Sequence, residues 1–241
     1  MTRPDPARLL EWDSAFWGVT VGRVEDDRLS EATSGRLDEW VRAHSVDCVY
    51  LLLRADDSPS LAAAQETGFR LVDVRLELER GVDVHEGVGA VRAHHEEDLP
   101  ALRAIARTAY DGTRFFADPG FPDERCRDLY ETWIAESCAG WADVVLVAER
   151  GGSVAGYVTC DRDGGGAVIR LIGVAAADRE KGVGADLVFG ALGWAAEKGA
   201  TRLTVVTQGG NVPGQRLFQR LGFRTASVGL WLHKWYPAAR A

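Results

Sequence analysis

Cysteine is scarce and scattered in this chain. The four thiols, Cys48, Cys126, Cys138 and Cys160, form no CxxC pair and no Cys/His spacing. That excludes a disulfide framework and a regularly spaced zinc site, leaves no metal to be expected, and suits buried apolar thiols. Long apolar runs are missing too. Stretches such as Val144-Val145-Leu146-Val147-Ala148 fall far short of the roughly 20 consecutive apolar residues of a membrane-spanning helix. Basic residues are outnumbered, 28 Lys and Arg against 36 Asp and Glu, and the formal charge of −8 argues against nucleic acid as a partner. The opening MTRPDPARLLEW lacks the basic-then-apolar order of a secretory signal, so a cytoplasmic protein is expected. Proline is modest, at 8, and no Gly or Pro tract is long enough for a disordered linker. The 241 residues thus suit one large domain or two small ones.

What is present is an alternation of strand-like and helix-like segments. A boundary is expected between Arg80 and Ala90, where the alternating LVDVRLELER gives way to GVDVHEGVGA, separating a lobe over 1–85 from a domain over 90–241. Asp98 and Pro100 mark a helix start, with Leu99, Leu102, Ile105, Ala106 and Ala109 at helical spacing. A second helix is predicted over residues 122–136, with Leu129 and Trp133 inward. DVVLVAE, VAGYVTC and AVIRLIGVA read as strands separated by polar or Gly-rich turns. Gly182 and Gly184 precede a helix whose Leu187, Val188, Ala191, Leu192 and Ala195 share one face. A strand RLTVVT, a short helix opened by Pro213 and stopped at Gly222, and a strand-like tail FRTASVGLWLHKW complete an α/β layered order. One echo runs through the chain: Pro59, Gln65, Gly68, Phe69 and Arg70 match Pro213, Gln219, Gly222, Phe223 and Arg224 in type and spacing. The N-terminal region is therefore expected to repeat, in shortened form, the strand-helix-strand unit near the C-terminus.

Arg179-Glu180-Lys181-Gly182-Val183-Gly184 lies between a strand and a helix. Glycines allow close backbone approach to a ligand, the N–H groups of a helix start attract phosphate oxygens, and Arg179 and Lys181 add charge. No Lys-Ser/Thr pair follows the second glycine and no third glycine completes a dinucleotide fingerprint. Alone, the pattern also suits a plain Gly-rich turn. In its setting, with RLTVVT, Asn211 and a helix ending Leu221-Gly222-Phe223, the segment from Val91 to Trp235 resembles the GNAT superfamily of N-acetyltransferases. The resemblance implies the acyl-CoA N-acyltransferase fold, an α/β (α+β) mixed central sheet flanked by helices, preceded by a truncated GNAT-like lobe. It also implies acetyl-CoA as co-substrate, with its pyrophosphate on Arg179, Glu180, Lys181, Gly182, Val183 and Gly184, Ala185 following, and Asn211 at the pantetheine arm. A backbone N–H near Val174 would be the oxyanion donor.

A narrower likeness reaches the whole chain. Leu10-Glu11-Trp12, Phe16-Trp17-Gly18, Thr113-Arg114-Phe115, Thr132-Trp133-Ile134 and Thr207-Gln208-Gly209-Gly210-Asn211 are similar to members that acetylate the amine of a dTDP-linked 4-amino-4,6-dideoxy sugar. An amino-sugar acceptor is thereby implied. The alternatives are another small amine, such as an antibiotic, polyamine or amino acid, and a catalytically impaired acyl-CoA-binding module. Transfer from a thioester to an amine needs a neutral amine, a donor for the oxyanion, and a proton or dipole for the thiolate. Where relatives place a tyrosine acid after Asn211, this chain has Phe218, which has no proton to give. Tyr110, Tyr130 and Tyr157 qualify by type and equally suit packing. For the base the likeness points to Asp73, which shares a strand face with Arg75, Glu77 and Glu79; a plain solvent face is the alternative. Arg114 and Phe115 are candidates for binding the acceptor, a guanidinium and an aromatic suited to a phosphate and a base or sugar face. A loop with aromatic anchors is the other reading. The tail LWLHKW is expected to be available for strand pairing in a homodimer.

Overall fold

A computed structural model describes residues 4–83 and 90–236; part of the expected boundary region, residues 84–89, lies outside them. The elements are β1 (Ala7–Leu9), α1 (Glu11–Trp17), β2 (Val21–Val24), α2 (Glu31–His44), β3 (Cys48–Arg54), α3 (Ser58–Glu66), β4 (Arg70–Gly81), β5 (Val91–Ala93) and α4 (Leu99–Ala109). They continue with α5 (Arg114–Ala117), α6 (Asp123–Glu136), β6 (Val144–Arg150), β7 (Ser153–Asp163), β8 (Gly166–Val174), α7 (Val183–Glu197), β9 (Arg202–Gln208), α8 (Val212–Arg220) and β10 (Arg224–Trp235).

Two compact units result. The first takes residues 4–75, 113–122 and 227–236, the second residues 76–83, 90–112 and 123–226. This corrects the single boundary expected between 1–85 and 90–241. The C-terminal strand is the reason: β10 runs antiparallel to β3 from Gly229↔Arg54 to Trp235↔Cys48, which returns the chain end to the N-terminal unit. The same pairing engages the LWLHKW residues with β3 of their own chain. Strand β10 stands between β3 and β4 in the strand order.

In the first unit, β2 pairs antiparallel with β1 and parallel with β3. Side chains alternate across a strand, and here the two faces differ in kind. Val49, Leu51, Leu53 and Leu232 join Leu37, Trp40 and Val41 of α2 in an apolar core. The alternate positions carry Arg23, Tyr50, Trp231 and His233, and aromatics from α1 and the 113–122 segment gather around Tyr50 and His233.

In the second unit the strand order is β4-β9-β8-β7-β6-β5, with β8 and β9 parallel and the β5–β8 pairs antiparallel. The predicted face of α7 is its buried face: Leu187, Val188, Ala191, Leu192 and Ala195 are all inside. In α6 the inward residues are Cys126, Leu129, Tyr130 and Ile134, while Trp133 is only half-buried, a departure from the predicted face. A side chain at Gly156 would meet Val183 and Leu187, one at Gly173 would meet Ile105; helices α7 and α4 therefore cover opposite faces of the sheet.

The sequence echo has a geometric counterpart. Both α3 and α8 open on an Asx cap, Asp57 accepting from Ser60 N–H and Asn211 from Gly214 N–H, with proline in the first turn. Both close on a left-handed glycine, Gly68 at φ 91° and Gly222 at φ 86°, and a Phe whose N–H returns to the helix, Phe69 to Ala64 and Phe223 to Phe218. Left-handed backbone at a helix exit is what glycine supplies without steric penalty.

Candidate active site

The loop between β8 and α7 is built to present backbone donors. Its register explains the space: β8 and β9 pair only over Ala167↔Leu203, Val168↔Thr204 and Ile169↔Val205, so beyond Ile169 the two parallel strands part. Val174 ends β8, still paired to Gly156 of β7. After it Glu180 and Gly182 both adopt positive φ, 64° and 87°. Among the described residues, no atom beyond its chain neighbours lies within 4 Å of where a Gly182 side chain would begin, so this glycine serves conformation; Gly184 serves space, its missing Cβ lying 2.9 Å from Leu217 Cδ2. Among the described residues the N–H groups of Glu180, Lys181, Gly182, Val183 and Gly184 find no backbone acceptor, the first partnered one being Ala185, which donates to the Gly182 carbonyl at 2.9 Å. A run of orphan donors at the start of a 15-residue helix is a site for phosphate oxygens.

Other expected cofactor residues are placed less directly. Arg179 turns back, its Nη2 donating to the Thr108 carbonyl at 3.1 Å and its Nε 3.5 Å from the Val174 carbonyl. Lys181 reaches Asp178 at 3.3 Å. The Asn211 side chain caps α8, its Oδ1 accepting from Gly214 N–H and its Nδ2 donating to Thr207 Oγ1 at 3.0 Å. Phe218 is a core residue, edge-on to Phe223 at 5.5 Å. The hydroxyls of Tyr110 and Tyr157 lie 3.1 Å apart, and Tyr110 stacks on Tyr130 at 4.3 Å. Burial, chiefly, pushes both Tyr110 and Tyr157 above the ordinary phenol value.

The remaining candidates belong to the first unit. Arg114 begins α5 and lies over three rings, with its Cζ 4.3 Å from the centroid of Tyr50 and 4.2 Å from those of Phe115 and Trp231. Its Nη1 donates to His233 Nε2 at 2.9 Å. Phe115 itself is only 2% exposed, packed against Trp17, Tyr50 and Phe121. Arg23 stands over Trp231 at 5.3 Å. Two carboxyls sit within electrostatic reach of Arg114. Burial raises Asp73 from 3.8 to about 6, against the Val74 backbone and the Arg114 charge. Burial likewise raises Asp13, with Arg114 opposing.

Sequence reasoning missed three members of this cluster: Asp118, Tyr50 and His233. Asp118 accepts from His233 Nδ1 at 2.6 Å, from Trp235 Nε1 at 3.0 Å and from Gly120 N–H at 2.9 Å. Burial alone would raise this carboxyl, but those bonds outweigh it and hold it below the ordinary value. The Tyr50 hydroxyl, fully buried, has no hydrogen-bond partner among the described residues. The available signal was the polar His233 inside the apolar alternation of LWLHKW.

A splayed parallel pair, a donor-lined loop and a following long helix together offer phosphate oxygens a row of backbone donors. Residues 100–223 match the Acetyltransferase (GNAT) family, and the chain belongs to it. It is 34% identical over 230 residues to the dTDP-fucosamine acetyltransferase of Escherichia coli O6:H1, covering 93% of this chain and 96% of that protein. The spore coat polysaccharide biosynthesis protein SpsD of Bacillus subtilis is 25% identical over 138 residues, 57% of this chain and 48% of that one. Among solved structures, a GCN5-related N-acetyltransferase from Sphaerobacter thermophilus superposes with a TM-score of 0.67 at 16% identity, covering 98% of this chain and 78% of its own. The mixed sheet with flanking helices is thus the GNAT fold, as expected.

Proposed function

We propose that this acetyltransferase modifies the amine of an amino sugar carried on a nucleotide, dTDP being the first to test. The observation that carries this reading is the 34% identity to a dTDP-fucosamine acetyltransferase over 93% of the chain, which includes the first unit with its arginines and stacked aromatics. A guanidinium flanked by rings suits a phosphate and a planar base.

In this reading the orphan N–H groups of residues 180–184 hold the pyrophosphate of acetyl-CoA, and a backbone N–H near Val174 receives the developing oxyanion. Asp73 takes the proton from the incoming ammonium. With a value of about 6 the carboxyl is ionised at neutral pH yet basic enough for the task. The neutral amine then forms the C–N bond, the C–S bond breaks, and the nitrogen's remaining extra proton passes to the departing thiolate. Phe218 cannot supply that proton, and Tyr110 and Tyr157 are held more reluctant than ordinary phenols. A soluble cytoplasmic enzyme suits these substrates, and among the described residues no helix is long and apolar enough to cross a membrane.

The test is release of free CoA thiol with dTDP- and UDP-linked amino sugars beside free amino sugars, polyamines and aminoglycosides. Turnover confined to nucleotide-linked sugars is expected. Turnover confined to free amines would overturn the acceptor assignment, and binding of CoA without turnover of any amine would overturn the reaction. Asp73→Asn should lower kcat by about 100-fold or more and abolish the fall in rate below pH 6.

A further inference from the structure

We infer that Asp118 and His233 are positioning residues that fix the guanidinium of Arg114 for an anionic group of the acceptor, an inference that rests on the acceptor-binding reading of Arg114. The chain of donors and acceptors admits one assignment. Arginine has five N–H donors and no acceptor, so the His233 Nε2 that meets Arg114 Nη1 at 2.9 Å must be the acceptor and carries no hydrogen. Its Nδ1 then holds the ring's hydrogen and donates it to Asp118, 2.6 Å away. His233 is therefore the neutral Nδ1–H tautomer, consistent with a value lowered from 6.5 to about 4 by burial and by the Arg114 charge.

Each link is itself held. Asp118 accepts from Trp235 and Gly120 besides His233, and it is 4% exposed. The His233 ring is 1% exposed and stacks on Tyr50 at 4.5 Å, the same ring that lies beneath Arg114. A long, flexible side chain is thereby held through Nη1 and pressed between aromatic faces, which limits the entropy lost when it meets an oxyanion. The buried Tyr50 hydroxyl, without a partner among the described residues, lies within electrostatic reach of Arg114. It is an independent sign that a polar group outside the chain completes this cluster.

The test uses dTDP as the probe, titrated calorimetrically into the full-length protein, with CoA affinity measured alongside. Asp118→Asn keeps the shape but lets the amide donate to Nδ1, which drives the ring hydrogen onto Nε2 and sets donor against donor at Arg114. Affinity for dTDP should fall about tenfold to a hundredfold, as for loss of a charged hydrogen bond, with CoA affinity unchanged. Arg114→Gln should cause a similar loss, and the double variant should be no worse than Arg114→Gln alone. If Asp118→Asn fails to fold, His233→Gln, which keeps an acceptor at the Nε2 position, is compared with His233→Met, which does not; only the second should lose dTDP. An Arg114→Gln protein that binds dTDP normally sinks the acceptor reading of Arg114. If Arg114→Gln weakens binding but Asp118→Asn does not, or if His233→Gln and His233→Met behave alike, the positioning role is wrong and Arg114 acts alone.

Discussion

Tyr50 shows most plainly how one residue divides between stability and function. Its ring is stacked on His233 and lies beneath Arg114, while its hydroxyl is buried with no acceptor or donor among the described residues. An unmet buried hydroxyl costs about 1–3 kcal/mol. Tyr50→Phe should therefore raise the melting temperature while raising the KM for a nucleotide-linked amino sugar several-fold, kcat changing little. Thermal unfolding and steady-state kinetics on the same preparation check both halves. A lowered melting temperature would mean that the hydroxyl is satisfied in the free protein. Phe218 presents the opposite case. It is 3% exposed in an apolar core, so Phe218→Tyr buries a hydroxyl instead of installing an acid. The variant should lose stability without gaining rate, which thermal unfolding and the thiol-release assay separate.

At the scale of elements, the loop between β8 and α7, proposed to hold the cofactor, depends on how closely α8 approaches the start of α7. Leu217 fills the space that a Gly184 side chain would need, at 2.9 Å. Gly184→Ala should displace one helix from the other, an overpacking cost of about 1–3 kcal/mol, and weaken CoA binding. Adding Leu217→Ala should return most of the CoA affinity, measured by calorimetry. No recovery would place the fault in the loop backbone itself. This stretch was legible in the sequence because its determinants are local: the apolar face of α7, the paired glycines, and the Asn-Pro start and Gly-Phe stop of α8 all fall within a few residues of one another. The cluster around Arg114 was not, because its partners are remote. Asp118 and His233 are 115 residues apart and meet only when β10 joins β3. The same return of the chain end defeated the single boundary near residue 85, since the pattern of β10 names a strand but not its neighbour.

For the whole molecule, two groups of the first unit, the buried His233 and the half-buried Asp73, tilt stability with pH in opposite directions. His233 is protonated at about 4 in the folded chain against 6.5 ordinarily, so the unfolded chain binds that proton more readily. Stability from this group is present above 6.5 and is lost as the pH falls toward 4. Asp73 has a folded value of about 6 against 3.8, so the folded chain holds its proton more tightly. Stability from this group is present at low pH and is lost as the pH rises from 3.8 through 6. Between about 4 and 6 the two slopes oppose each other, and the parent protein should show a flattened response there. Asp73→Asn removes one of them. The variant should be more stable than the parent above pH 6, the gain shrinking to nothing below 3.8, and its melting temperature should fall more steeply as the pH is lowered from 6.5 to 4. Calorimetric scans of both proteins across that range give the comparison. A constant offset at every pH would show that ionisation of Asp73 is not what opposes folding, and with it would go the raised value on which its proposed role as a base rests.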